Sequence, residues 1–208
     1  MTRIAVLVSG GGTNLQALID ARETLRGEIV CVLSSAEDAY ALERARLAGI
    51  PAEAVPRVKG EPRTRYTERL METLAHYGID LVVLSGFLVI LDKSFTQAYP
   101  NRVLNVHPAL LPSFGGRGCY GLHVHEMALA RGVKLTGATV HFVNEETDGG
   151  PIVLQKAVEV LPGDTPETLQ RRVMEQAEWQ LLPQAVRLFC EGRLSVVDNR
   201  VEILEGRA

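Results

Sequence analysis

The apolar run Ile4-Ala5-Val6-Leu7-Val8 breaks directly into Ser9-Gly10-Gly11-Gly12-Thr13-Asn14, and a helical stretch follows at once. A buried strand, a turn without side chains and a helix N-terminus together open an α/β unit, which restricts the fold more than any other feature of the chain. Three glycines allow backbone N–H groups to turn toward an anion, and the helix start adds its partial positive charge. Thr13 and Asn14 bring side-chain donors. The turn is not the dinucleotide fingerprint, because Leu15 stands where the third glycine belongs, and it is not a Walker loop, because no Lys-Ser/Thr pair follows. Two readings remain for these residues: a holder of one small phosphate, or a tight turn made for packing alone.

The pattern repeats along the chain. Arg3 to Val8, Glu28 to Leu33, Leu81 to Ser85, Val103 to Val106, Thr136 to Val143 and Ile152 to Val160 read as strands. Asn14 to Ala21, Asp38 to Ala48, Arg63 to Tyr77 and Leu122 to Arg131 read as helices, with Gly49, Gly78 and Gly132 placed to end three of them. Leu81-Val82-Val83-Leu84 is apolar on both alternating faces, as a parallel strand covered on each side must be. The expected fold is therefore α/β, a doubly wound, mostly parallel, Rossmann-like sheet in a single domain spanning residues 1–208. Thr165 as N-cap, Pro166 and Glu167 begin a last helix that runs toward Gly192, and a hairpin is expected around Asp198-Asn199. The connections Gly86 to Arg102 and His107 to Gly121 leave the carboxyl ends of central strands, where open α/β sheets bind ligands.

Acids and bases are mixed along the chain at a net charge of −3, so no basic footprint for nucleic acid is expected. No apolar run nears the ~20 residues of a membrane span and no secretory h-region is present, which points to the cytoplasm. Cys31, Cys119 and Cys190 are widely spaced and suggest neither a disulfide framework nor a zinc site. His123 and His125 are two apart on an expected helix, hence ~200° apart around its axis and unable to share one metal ion. They read as solvated or loop-contacting, and no metal is expected.

Asn105 and His107, two apart on one strand, point the same way at its carboxyl end. An amide donor beside an imidazole suits an oxyanion and a moving proton, but a capped, hydrogen-bonded strand end explains the pair equally well. Asp148, in Thr147-Asp148-Gly149-Gly150-Pro151, is either a carboxylate aimed at that imidazole or an ordinary turn residue.

Asn105-Val106-His107-Pro108-Ala109-Leu110-Leu111-Pro112, followed by Asp148-Gly149-Gly150-Pro151-Ile152 and preceded by Ser9-Gly10-Gly11-Gly12-Thr13-Asn14-Leu15-Gln16, resembles the folate-dependent formyltransferases, and among them those that act on glycinamide ribonucleotide in purine synthesis. The likeness covers essentially the whole chain. It implies 10-formyltetrahydrofolate as co-substrate and Asn105, His107 and Asp148 as the catalytic residues. It further implies phosphate binding by Gly12, Thr13 and Asn14, with ribose binding by Glu178 and Glu175 near the phosphate end. For Glu175 a solvated helix face is preferred. Arg63, Leu88, Val89, Ile90, Leu91, Asn144, Glu145, Glu146 and Thr147 would meet the folate, and His141 would support the catalytic residues from behind. By the same likeness, about 1–100 would form a phosphate-binding half and about 101–208 a catalytic and folate-binding half. Partners would be the two small molecules, with neither nucleic acid nor membrane, in a monomer or homodimer. A formyltetrahydrofolate hydrolase and a catalytically silent phosphate-sugar binder are the alternatives.

Overall fold

The apolar runs become strands, and most stretches between them become helices. The computed structural model describes residues 1–206. Its first half contains β1 (Thr2–Val8), α1 (Thr13–Asp20), β2 (Gly27–Ser34), α2 (Tyr40–Leu47), β3 (Ala52–Ala54), α3 (Arg63–Ala75), β4 (Leu81–Leu84) and α4 (Lys93–Ala98). Then follow β5 (Val103–His107), α5 (Leu122–Arg131), β6 (Leu135–Phe142), β7 (Ile152–Glu159), α6 (Pro166–Val173), α7 (Trp179–Cys190), β8 (Leu194–Val197) and β9 (Arg200–Ile203). The sheet order is β3-β2-β1-β4-β5-β6-β7, with β8 and β9 forming a separate hairpin. Pairing is parallel from β3 through β4 and antiparallel between β6 and β7, the mostly parallel α/β fold expected from the two-sided burial of β4. Contacts are densest within two units that divide after Leu104.

In the first unit Ile4 to Val8 and Leu81 to Val83 are wholly buried, and α3 covers its neighbours with Tyr66, Leu70 and Leu74 at helical spacing. Burying side chains of this size is worth roughly 1.5–3 kcal/mol each. Two elements depart from expectation. Strand β3 has only three residues and takes its place by pairing with Val32 to Ser34 of β2 rather than by any pattern of its own. Helix α4 occupies the middle of the connection expected to be a loop, started by Asp92, whose carboxylate accepts from the Ser94 N–H.

In the second unit α5 ends on left-handed Gly132, and the β8–β9 turn places Asp198 and Asn199 at φ 48° and 59°, the geometry a two-residue hairpin demands. The start of α6 is a reciprocal capping box between Thr165 and Thr168. The last helix is not continuous, as its clean start suggested. A π-helical turn, Met174–Glu178, separates α6 from α7. Its extra residue shifts the helix phase, so that Leu169 and Val173 before it and Leu181 and Leu182 after it are all buried, with Ala177 and Glu178 buried inside it. Pro183, which cannot donate to the carbonyl four residues back, follows directly in α7.

Candidate active site

The second unit gathers five of the polar side chains expected from the sequence or adjoining them: Asn105, His107, His141, Asp148 and His125. Strand β5 presents Asn105 and His107 on one face, and β6 presents Thr139 and His141 on one face, both by the two-residue alternation of extended chain. Asp148 sits on the turn after β6 at φ 58°, a left-handed conformation uncommon for most side-chain-bearing residues but tolerated by aspartate. The following glycines permit that turn: a Cβ on Gly150 would collide with the Phe142 carbonyl, and one on Gly149 would come 2.6 Å from the Glu146 carboxylate.

Hydrogen bonds assign a role to each ring nitrogen. His107 Nε2 lies 2.8 Å from the Phe114 carbonyl, so it carries a proton and donates. Its Nδ1 faces Asp148 Oδ2 at 3.6 Å, an ion pair only when Nδ1 also carries a proton and too far for a direct hydrogen bond. His141 Nδ1 is 2.9 Å from the Phe142 carbonyl and donates to it. Burial, the largest effect, holds His141 below the usual imidazole range, so its Nε2 is bare and accepts from Asn105 Nδ2 at 3.1 Å. The Asn105 amide is thereby turned with nitrogen toward His141, and its second N–H remains directed elsewhere. Asp148 Oδ1 is 3.7 Å from His141 Nε2, while Oδ2 accepts from the Gly116 N–H at 2.9 Å. A carboxylate, the Nδ1 of one imidazole and a fixed amide thus converge, with His141 holding the amide.

Thr139 escaped the sequence reading. Its hydroxyl donates to the Ala109 carbonyl at 2.7 Å and accepts from the Leu111 N–H at 3.1 Å and from Gln155 Nε2 at 3.0 Å. One donor and two acceptor sites are all in use, and the segment from Ala109 to Leu111 that leads His107 toward Phe114 is pinned. The only available signal was its position two residues before His141. His125 corrects an expectation: it is not solvated but fully buried on α5, with no protein partner at either ring nitrogen, and burial followed by the nearby His107 lowers it to about 4. His123 is exposed and faces Glu126 at 2.9 Å. Burial, with Asp148 next, raises Cys119 above its ordinary range.

Glu178 lies in the π turn with 5% of its surface exposed, and Glu175 is exposed there. Asn144 caps its own loop, its Oδ1 accepting from the Glu146 N–H at 3.0 Å, and Glu145, Glu146 and Thr147 are exposed. In the first unit Gly12 begins α1 in the left-handed region at φ 71°. Leu88 and Ile90 are 60% and 48% exposed. The Leu88 N–H donates to Ser9 Oγ at 2.9 Å, tying this stretch to the end of β1. Arg63, the first residue of α3, faces Asp92 at 3.9 Å and is half-exposed.

The formyl transferase family pattern matches residues 2–186. The chain belongs to the formyltransferase family. It is 41% identical over 210 residues to a phosphoribosylglycinamide formyltransferase of Haemophilus influenzae, covering 100% of this chain and 96% of that protein. It superposes on a glycinamide ribonucleotide transformylase of Symbiobacterium toebii with a TM-score of 0.92 at 47% identity, covering 99% and 95% of the two chains. A formyltetrahydrofolate deformylase of Pseudomonas syringae is more distant, at 29% identity and a TM-score of 0.85, and this chain covers 66% of it. A formyltransferase needs an acceptor amine, a donor carbonyl and a route for one proton, and the Asn105, His107 and Asp148 arrangement offers groups suited to the last two.

Proposed function

We propose that this enzyme moves the formyl group of 10-formyltetrahydrofolate to the amine of glycinamide ribonucleotide in de novo purine synthesis. The observation that carries the reading is the convergence of the Asn105 amide, His107 Nδ1 and the Asp148 carboxylate. The amine nitrogen attacks the formyl carbon and the carbonyl oxygen becomes an oxyanion. Asn105 Nδ2–H and a proton on His107 Nδ1 stabilise that charge. With Nε2–H held by the Phe114 carbonyl, it is the Nδ1–H that is left for the oxyanion, with the Asp148 carboxylate nearby. Asp148 takes the proton released by the amine, directly or through a water, and the carbon–N10 bond breaks as N10 leaves protonated. One carbon–nitrogen bond replaces another, and the proton passes from amine to leaving group.

For the substrates, Gly12, Thr13 and Asn14 take the phosphate and Glu178 the ribose hydroxyls. Exposed Leu88 and Ile90, with Val89 and Leu91, offer an apolar bed for the pterin, a surface that would otherwise lie wet. Asn144 to Thr147 read its polar edge, and Arg63 meets the acidic end of the folate. Incubating the protein with both substrates tests the assignment: formylated ribonucleotide supports it, and free formate without acceptor would instead indicate a hydrolase. Tight binding without turnover would leave a silent phosphate-sugar binder.

A further inference from the structure

The glycine turn has a back as well as a face, and α2 makes the back. Three successive carbonyls are tied down. Gly10 accepts from the Ala41 N–H at 3.1 Å, Gly11 from Arg44 Nε at 2.8 Å and Gly12 from the Gln16 N–H at 2.9 Å. In a planar trans peptide the N–H points opposite to the carbonyl, so the N–H groups of Gly11, Gly12 and Thr13 are each turned away from the partner that holds the carbonyl before it. The fit is close. A Cβ on Gly12 would stand 2.6 Å from Ala41 Cβ, while Gly10 and Gly11 have nothing within 4 Å of theirs.

Two of the three anchors are backbone groups. The middle one is a side chain and is itself braced. Arg44 Nη1 donates to Gln16 Oε1 at 3.0 Å, Gln16 Nε2 donates to Asp20 Oδ1 at 2.8 Å, and the guanidinium lies 5.0 Å from the centre of the Tyr40 ring. A fork with fixed directions is needed to reach a carbonyl and an amide oxygen together, which a lysine ammonium on a flexible stem does not supply.

We propose that Arg44 is a positioning residue for the acceptor's phosphate, acting by holding the Gly11–Gly12 peptide so that the Gly12 N–H faces the anion. The proposal rests on the assignment of that phosphate to the glycine turn. Arg44 acts from the carbonyl side, through the peptide.

Steady-state turnover of Arg44→Met and Arg44→Lys with glycinamide ribonucleotide and with its dephosphorylated riboside tests this. In Arg44→Met the KM for the ribonucleotide rises roughly tenfold, as expected for one lost directed hydrogen bond to a charged ligand. The KM for the folate changes less than twofold, and the advantage of ribonucleotide over riboside in kcat/KM falls by the same tenfold. Arg44→Lys, which keeps the charge without the fork, recovers less than half of that advantage. Equal losses on both acceptors and on the folate, or full recovery by lysine, would overturn the proposal. Gln16→Met, which removes only the brace, moves the ratio in the same direction by about threefold and decides the matter if Arg44→Met does not fold. Amide shifts of Gly11, Gly12 and Thr13 in the unmodified protein on titration with inorganic phosphate separate the two levels. No shift and no preference for the ribonucleotide would remove the phosphate assignment itself, whereas a shift and a preference that survive in Arg44→Met would remove only the role of Arg44.

Discussion

The glycine turn of the first unit and the Asn105, His107 and Asp148 group of the second solve related problems by opposite means. The turn directs backbone N–H groups and needs side chains to be absent, with Gly12 left-handed and pressed on Ala41. The group in the second unit directs side chains, and each is held by a residue distant in sequence or on a neighbouring loop: Asn105 by the His141 ring, His107 by the Phe114 carbonyl, Asp148 by the Gly116 N–H. A site made of backbone is set by local sequence and fails when a methyl is added. A site made of side chains is set by residues from other segments and fails when a polar atom is removed.

The largest effect that would test this contrast is at Asp148. Asp148→Asn should keep the fold and lower kcat by at least ~10²-fold, as the loss of one preorganised charge does. Near-normal turnover in a steady-state assay would remove the carboxylate from the chemistry and leave the second site as ordinary strand-end packing.

At the turn, Gly12→Ala places a Cβ in a left-handed position against Ala41, at a cost of about 2 kcal/mol in stability. Its KM for the ribonucleotide should rise roughly tenfold through the disturbed N–H direction. Gly10→Ala, with open space around the new methyl, should melt within a degree or two of the parent, as expected for a change below about 0.5 kcal/mol. If the two alanines melt alike, the turn is not templated tightly by α2.

A smaller kinetic effect is expected at His141. His141→Phe removes the acceptor that orients the Asn105 amide, and kcat should fall by about tenfold with both KM values nearly kept, the scale of one hydrogen bond. A change in KM alone would show that the histidine shapes the pocket rather than the amide.

The smallest expected effect leaves turnover aside. His125 stays neutral in the fold down to about pH 4, while the unfolded chain takes up its proton near 6.5. Its contribution to stability is therefore fully present above about 6.5 and is lost progressively as pH falls toward 4. Between pH 7 and pH 5, His125→Leu should lose about 1–2 kcal/mol less stability than the parent in denaturant titrations. Equal acid sensitivity would mean that this imidazole is not the dry, neutral group its burial implies.

Local chemistry explains what the sequence could disclose. The glycine turn, the strand at Leu81 and the Thr165-Pro166 helix start are each specified within a few residues, and each was readable. Strand β3 was not, because three residues carry no period and its pairing comes from β2. The π turn was hidden in a stretch of ordinary helix formers, since it answers a mismatch of phase with distant packing. The pair Asn105 and His107 was readable as a pair but not as a site, because its partners lie about forty residues away and only resemblance joined them. His125 was misread because two residues of the same type on one helix differ only in which face the rest of the unit covers.

Thr139 has a bearing on how this chain can vary. Its hydroxyl is saturated, and valine, nearly identical in shape, would leave the buried Ala109 carbonyl and Leu111 N–H without that counterpart. Serine would keep the bonds and lose a methyl. In a saturation library this position should therefore tolerate the change that alters shape and reject the one that preserves it, the reverse of the tolerance expected at Val140 beside it.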